Sequence, residues 1–79
     1  MTERENVLAV LKEIKFTVDL SETADIIDGG YLDSMELMGL IAGLSDVFGI
    51  EIDIDWITPE NFNSVDAMTE MVKNLKAQG

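Results

Sequence analysis

The sequence predicts an all-α fold, a four-helix bundle of three longer helices and one short third helix, with a long loop between the first and second. Apolar residues recur at helical spacing in three separate segments. Residues that favour helix starts and stops bound those segments, and the one stretch that alternates like a strand has no second stretch to pair with. At 79 residues with 47% hydrophobic content, the chain is expected to form a single domain over residues 1–79 around one small core.

The first helix is predicted over roughly residues 3–15. Thr2 and Glu5 make a capping box, and Val7, Leu8, Leu11 and Ile14 follow on one face. From Phe16 to Leu32 the periodicity fails, and two glycines follow the apolar pair Ile26 and Ile27. This segment reads as a long ordered loop pinned by buried aliphatic side chains, the kind of loop that compact domains use for function.

The second helix is predicted from Ser34 to Phe48, stopped by Gly49, where a left-handed cap suits glycine. Leu37, Leu40, Ile41, Leu44, Val47 and Phe48 share its core face. The following "GIEIDIDWI" alternates apolar and acidic residues. With no partner strand it is read as an extended connector that buries Ile50, Ile52 or Ile54 between helices. Thr58 as cap and Pro59 at the first helical position start a third helix of one or two turns. Ser64 then caps a last helix that places Val65, Met68, Met71, Val72 and Leu75 on one face and carries Lys73 and Lys76 near its C-terminal end.

Charge narrows the function classes. The formal charge is −11, from 16 acids against 5 bases, which argues against nucleic acid or anionic membrane as a partner, since phosphate binding needs lysine and arginine. Arg4, Lys12, Lys15, Lys73 and Lys76 all lie near the two ends, and residues 16–72 hold 13 acids and no base. That middle region should steer association with cationic surfaces. No cysteine is present, so a disulfide framework, a thiolate metal site and a cysteine nucleophile are excluded. The longest largely apolar stretch, "LMGLIAGL", is too short to span a bilayer, and "MTEREN" lacks the apolar run of a signal peptide. The expectation is a monomeric cytoplasmic protein without membrane insertion.

The stretch "GGYLDSMELMGL" places Ser34 at the first turn of the second helix. A serine is a weak nucleophile without an adjacent base, and this chain has no histidine, while its four lysines all lie in the terminal helices. A hydrolytic role is therefore rejected. Capping is the commoner task of a serine at such a place. Asp33, with Glu36 three residues later, makes the better cap, leaving the Ser34 hydroxyl free at a helix end that favours an anion.

These residues carry a resemblance. "DGGYLDSMEL" is similar to the phosphopantetheine-attachment motif of the acyl carrier and peptidyl carrier proteins. The likeness runs through the long loop, the "VFGIEI" helix end and "ITPENFNSVDAM". The resemblance implies an acyl-carrier-like four-helix bundle and a non-catalytic role. Ser34 would be esterified by 4′-phosphopantetheine from coenzyme A, whose thiol carries an acyl or aminoacyl thioester. Asp33 would help bind magnesium during modification, as carboxylate oxygens can. The implied partners are a phosphopantetheinyl transferase, an acyl- or aminoacyl-loading ligase and a downstream acyltransferase or synthase.

The implied partner surface comprises Met35, Glu36, Met38, Gly39, Ala42 and Asp46; the wheel places all but Glu36 opposite the core face. Methionine is adaptable and common on surfaces that bind several partners; the plainer reading packs Met35 or Met38 under the loop. Fatty-acid-synthase carriers are usually more acidic on this helix, whereas Gly39, Ala42, Gly43 and Ser45 stand here. The resemblance therefore leans toward stand-alone D-alanyl or other aminoacyl carriers. Two glycines within a helix cost roughly 1 kcal/mol each relative to alanine, which close approach by a partner or a neighbouring helix would offset.

The acidic composition also suggests two rival readings. Neither "DIIDGGYLDSME" nor "DIDWITPENFNS" fits a calcium-binding EF-hand loop, because Ile27 and Gly29 in the first and Ile57 in the second fall where oxygen ligands are required. The alternative to a carrier is a small acidic helical adaptor that needs no prosthetic group.

Overall fold

The computed structural model describes residues 2–16 and 18–78. Four α-helices follow one another: α1 Glu3–Ile14, α2 Ser34–Phe48, α3 Pro59–Phe62 and α4 Val65–Gln78, with a 3₁₀ turn at Ile54–Trp56 before α3. Among the described residues no β-strand forms.

Local chemistry accounts for each boundary. Glu5 N–H donates to Thr2 Oγ1 and Thr2 N–H to Glu5 Oε1, both at 3.2 Å, so the predicted capping box starts α1. The helix stops one residue short of the expected end, where Lys15 N–H closes on the Leu11 carbonyl at 2.8 Å. Gly49 ends α2 with φ of 63°, a left-handed conformation open to glycine without steric cost, while Ile50 N–H reaches back to the Ser45 carbonyl at 3.1 Å. Ser64 Oγ accepts the Ala67 N–H at 3.0 Å at the start of α4, as expected.

Thr58 departs from expectation. It stands at the cap position of α3, but its side chain makes no cap bond and instead accepts from Asn61 Nδ2 at 3.2 Å. Pro59, which supplies no N–H and has φ preset for a first turn, is left to start this helix.

The core joins α1, α2 and α4. Val7, Val10 and Leu11 of α1 meet Leu40 and Leu44 of α2 and the face of α4 formed by Val65, Met68, Met71, Val72 and Leu75. Phe62 of α3, with Leu20 and Ile26 from the long loop, is buried in the same cluster. Thr69, the buried polar residue of this core, donates its hydroxyl to the Val65 carbonyl at 2.7 Å.

One expectation about burial is corrected, and two are refined. Val47 is 53% exposed, because three residues along a helix turn it roughly 60° away from Leu44, to the rim of the apolar stripe. Leu8 and Ile14 of α1 pack half-buried against the core, and Val10 is buried in it as well. The connector after Gly49 starts as predicted, with Ile50 and Ile52 packed against the core. Its alternation ends where Ile57 N–H bonds the Ile54 carbonyl at 3.0 Å; the tighter turn leaves Ile54 80% exposed and brings Trp56 and Ile57 inward.

Candidate attachment site at the start of α2

The long loop delivers the site. Its middle is held by Asn63, at the junction of α3 and α4: Asn63 Oδ1 accepts the N–H groups of Ile27 and Asp28 at 2.9 and 3.0 Å. Asn63 Nδ2 donates to Asp28 Oδ2 at 3.0 Å, and the Asn63 carbonyl accepts the Ile26 N–H at 2.8 Å. The chain then turns, with Tyr31 N–H on the Ile26 carbonyl at 3.1 Å and Gly30 at φ of 74°. That positive φ suits glycine.

Asp33 is the cap. Its Oδ1 accepts the Glu36 N–H at 2.7 Å, and Glu36 Oε1 accepts the Asp33 N–H at 3.0 Å. The aspartate thus takes the task a serine would otherwise perform. Ser34 occupies the first helical position, exposed, and among the described residues its hydroxyl has no hydrogen-bond partner. The Ser34 and Met35 N–H groups point out of the helix start, where the dipole favours negative charge. Beside the hydroxyl lies a shallow surface hollow of ≈ 250 Å³ lined by Ser34, Met35 and Met38. A larger open hollow of ≈ 710 Å³, between Phe48, Trp56 and Leu75 at the far end of α2, shares no residue with the serine site.

The structure brings some expected partner residues together and separates others. Met35 and Met38 are 85% and 69% exposed, which removes the reading that packs them under the loop. Ala42 and Asp46 are exposed farther along the helix; a rise of about 1.5 Å per residue puts Asp46 roughly 18 Å from Ser34. Gly39 is half-buried and turned toward α1, where an added Cβ would stand 3.1 Å from Ile14 Cδ1, so it sits at the edge of this face and not at its centre. Gly43 likewise faces α1, so the neighbouring helix accounts for both glycines. Glu36 is also half-buried, held by the cap and by Lys15 Nζ at 3.3 and 3.4 Å from its two oxygens.

Asn63 and Lys15 are functional positions that the sequence does not reveal. Neither carries a local signal, because their partners Asp28 and Glu36 lie 35 and 21 residues away in sequence. The exposure of Ile54 and Val47 is likewise not legible in the hydrophobic spacing.

A bare alcohol on a rigid helix start, with an anion-favouring field and open space beside it, suits a covalently attached phosphodiester. Residues 7–72 match the phosphopantetheine attachment site family, and the chain belongs to that family of carrier proteins. It is 35% identical over 66 residues to aminoacyl carrier protein 1 of Bradyrhizobium diazoefficiens, covering 84% of this chain and 72% of that protein. It is 32% identical over 78 residues to the D-alanyl carrier protein of Streptococcus uberis, covering 96% of this chain and 98% of that protein. Members of the family are non-catalytic, and their prosthetic group is covalently attached 4′-phosphopantetheine. None of the described helices is long and apolar enough to cross a membrane.

Proposed function

We propose that Ser34 is the residue esterified by 4′-phosphopantetheine and that the chain is a stand-alone, single-domain cytoplasmic carrier. On this reading it is charged by an aminoacyl-loading ligase and delivers its thioester to a downstream transferase or synthase. The observation that carries the reading is the hydroxyl of Ser34, exposed and unengaged because Asp33 and Glu36 satisfy the helix start between themselves. The similarity to an aminoacyl carrier protein and a D-alanyl carrier protein favours an aminoacyl cargo over a fatty acyl one.

Asp33 has its Oδ1 committed to the Glu36 N–H. Its second oxygen, Oδ2, is the one disposed to meet a magnesium ion held by the transferase. Partner enzymes dock on the exposed side of α2, through Met35, Met38, Ala42 and Asp46, with Gly39 and Glu36 at the α1-facing edge. The acidic middle of the chain steers that docking, so it is weak and salt-sensitive, as release requires.

The test is intact mass after incubation with coenzyme A, magnesium and a broad-specificity phosphopantetheinyl transferase. The wild-type chain should gain one phosphopantetheine and Ser34→Ala none; an unmodified wild-type chain would return the adaptor reading. Loading rates that do not change with ionic strength would remove the steering part alone.

A further inference from the structure

We infer that Lys15 is a positioning residue for the modification of Ser34, acting from α1 through Glu36. This rests on the carrier reading above and extends it to a residue outside the motif. Lys15 is the C-cap of α1 and Glu36 lies in the first turn of α2, and their charged groups meet 3.3 Å apart with side chains only 28% and 26% exposed. The pair is better shielded than Arg4–Asp66, Lys73–Glu70 or Lys76–Glu3. Shielding from water strengthens an ion pair, and a lysine drawn out of solvent to reach one carboxylate fixes that carboxylate in place.

What the pair fixes is the cap. Glu36 Oε1 receives both the Lys15 ammonium and the Asp33 N–H. The Asp33 carboxylate in turn holds the Glu36 N–H. Lys15, Glu36 and Asp33 therefore form a chain of contacts from the end of one helix to the residue before Ser34. With Glu36 clamped, its side chain cannot swing toward the serine, where it would accept the hydroxyl proton or compete with Asp33 for a cation. The clamp also joins the end of α1 to the start of α2 across a 17-residue intervening stretch that runs from 16 to 32. A transferase meets the hydroxyl, the Asp33 carboxylate and the helix start in one arrangement, and loss of the clamp should raise KM for the carrier more than it lowers kcat.

The experiment measures steady-state phosphopantetheine transfer to full-length wild type, Lys15→Met, Lys15→Arg, Glu36→Gln and the Lys15→Met/Glu36→Gln double variant. Glutamine keeps an oxygen for the Asp33 N–H, so Glu36→Gln removes the ion pair while sparing the capping box. Thermal melts and amide exchange at Asp33 are recorded for each. The expected result is a three- to tenfold loss in kcat/KM, carried by KM, for Lys15→Met and for Glu36→Gln. The double variant should be no worse than either single one, Lys15→Arg should recover most of the rate, and exchange at Asp33 should quicken in the slow variants.

Equal rates for wild type and Lys15→Met overturn the inference. So does a slow Lys15→Met beside a normal Glu36→Gln, since Lys15 would then touch the transferase directly. Loss of rate that merely follows loss of folded fraction in the melts also overturns it. A wild-type chain that takes no phosphopantetheine refutes the carrier reading instead, and a normal wild type with unaffected variants refutes only the role of Lys15.

Discussion

Gly43 of α2 lies so close to Val10 of α1 that a Cβ added to it would stand 2.7 Å from Val10 Cγ1. Val10 is only 6% exposed and is branched at Cβ, so its rotamer has little freedom to yield. Gly43→Ala should therefore lower stability by about 1–3 kcal/mol, despite the better helix propensity of alanine. Gly39→Ala meets only Ile14 Cδ1, the movable end of a half-buried side chain, at 3.1 Å. Propensity should win there, leaving stability unchanged or raised by up to about 1 kcal/mol. Chemical denaturation of the two variants decides it, and equal effects would refute the close-packing account.

Asp33→Ala should cost about 1 kcal/mol by removing the acceptor at 2.7 Å from the Glu36 N–H. In a domain of this size that is a fall in Tm of about 4–8 °C. Asp33→Asn retains a capping oxygen and should lose little stability, yet it removes the carboxylate proposed to meet magnesium. Slow modification with a near-normal melt in Asp33→Asn, against both losses in Asp33→Ala, is the pattern that separates the two tasks.

Asn63→Ala removes the acceptor of the part-buried Ile27 N–H and the exposed Asp28 N–H, an expected loss of about 0.5–1.5 kcal/mol. Hydrogen exchange at those two amides should speed up before exchange within α4 does. Asn63→Asp is sharper: it keeps both acceptor contacts but sets a carboxylate against Asp28 Oδ2, which has lost its donor. Adding Asp28→Asn should restore stability to Asn63→Asp, and failure of that rescue would show that the latch works in some other way.

These experiments probe parts of the molecule that were unequally legible. The ends of α2 could be read from sequence, since Asp33 with Glu36 and Gly49 each act on backbone within a turn of themselves. The α4 face could be read too, because Val65, Met68, Met71, Val72 and Leu75 repeat at helical spacing. Ile54 misled, because period-2 alternation persists in the letters after the backbone has switched to a 3₁₀ turn. Val47 misled because a wheel sets an angle but not the width of the neighbour that covers it. Asn63 and Lys15 could not be read at all, since what they hold is brought near only by tertiary packing.

Acidification offers a fourth test, at the start of α1. The Glu5 carboxyl is held below its ordinary value of 4.5, first by the Thr2 backbone N–H and next by the Thr2 hydroxyl. A carboxyl with a depressed folded pKa adds stability that is present above the unfolded value and lost as pH falls through the folded one. Glu5→Gln keeps the capping box without the charge. Wild type should melt higher than Glu5→Gln at pH 7, and the gap should close below about pH 4.5 as the carboxylate takes up its proton. A gap that widens on acidification would reverse the sign of this account.

Because Ser34 Oγ has no hydrogen-bond partner among the described residues, joining the proposed arm to it would break no bond within them. On the proposed reading, vacant, armed and laden forms would share one body and should melt at about the same temperature. Enzymes downstream would have to sense the passenger itself, at the end of the tether, to know whether the vehicle is full.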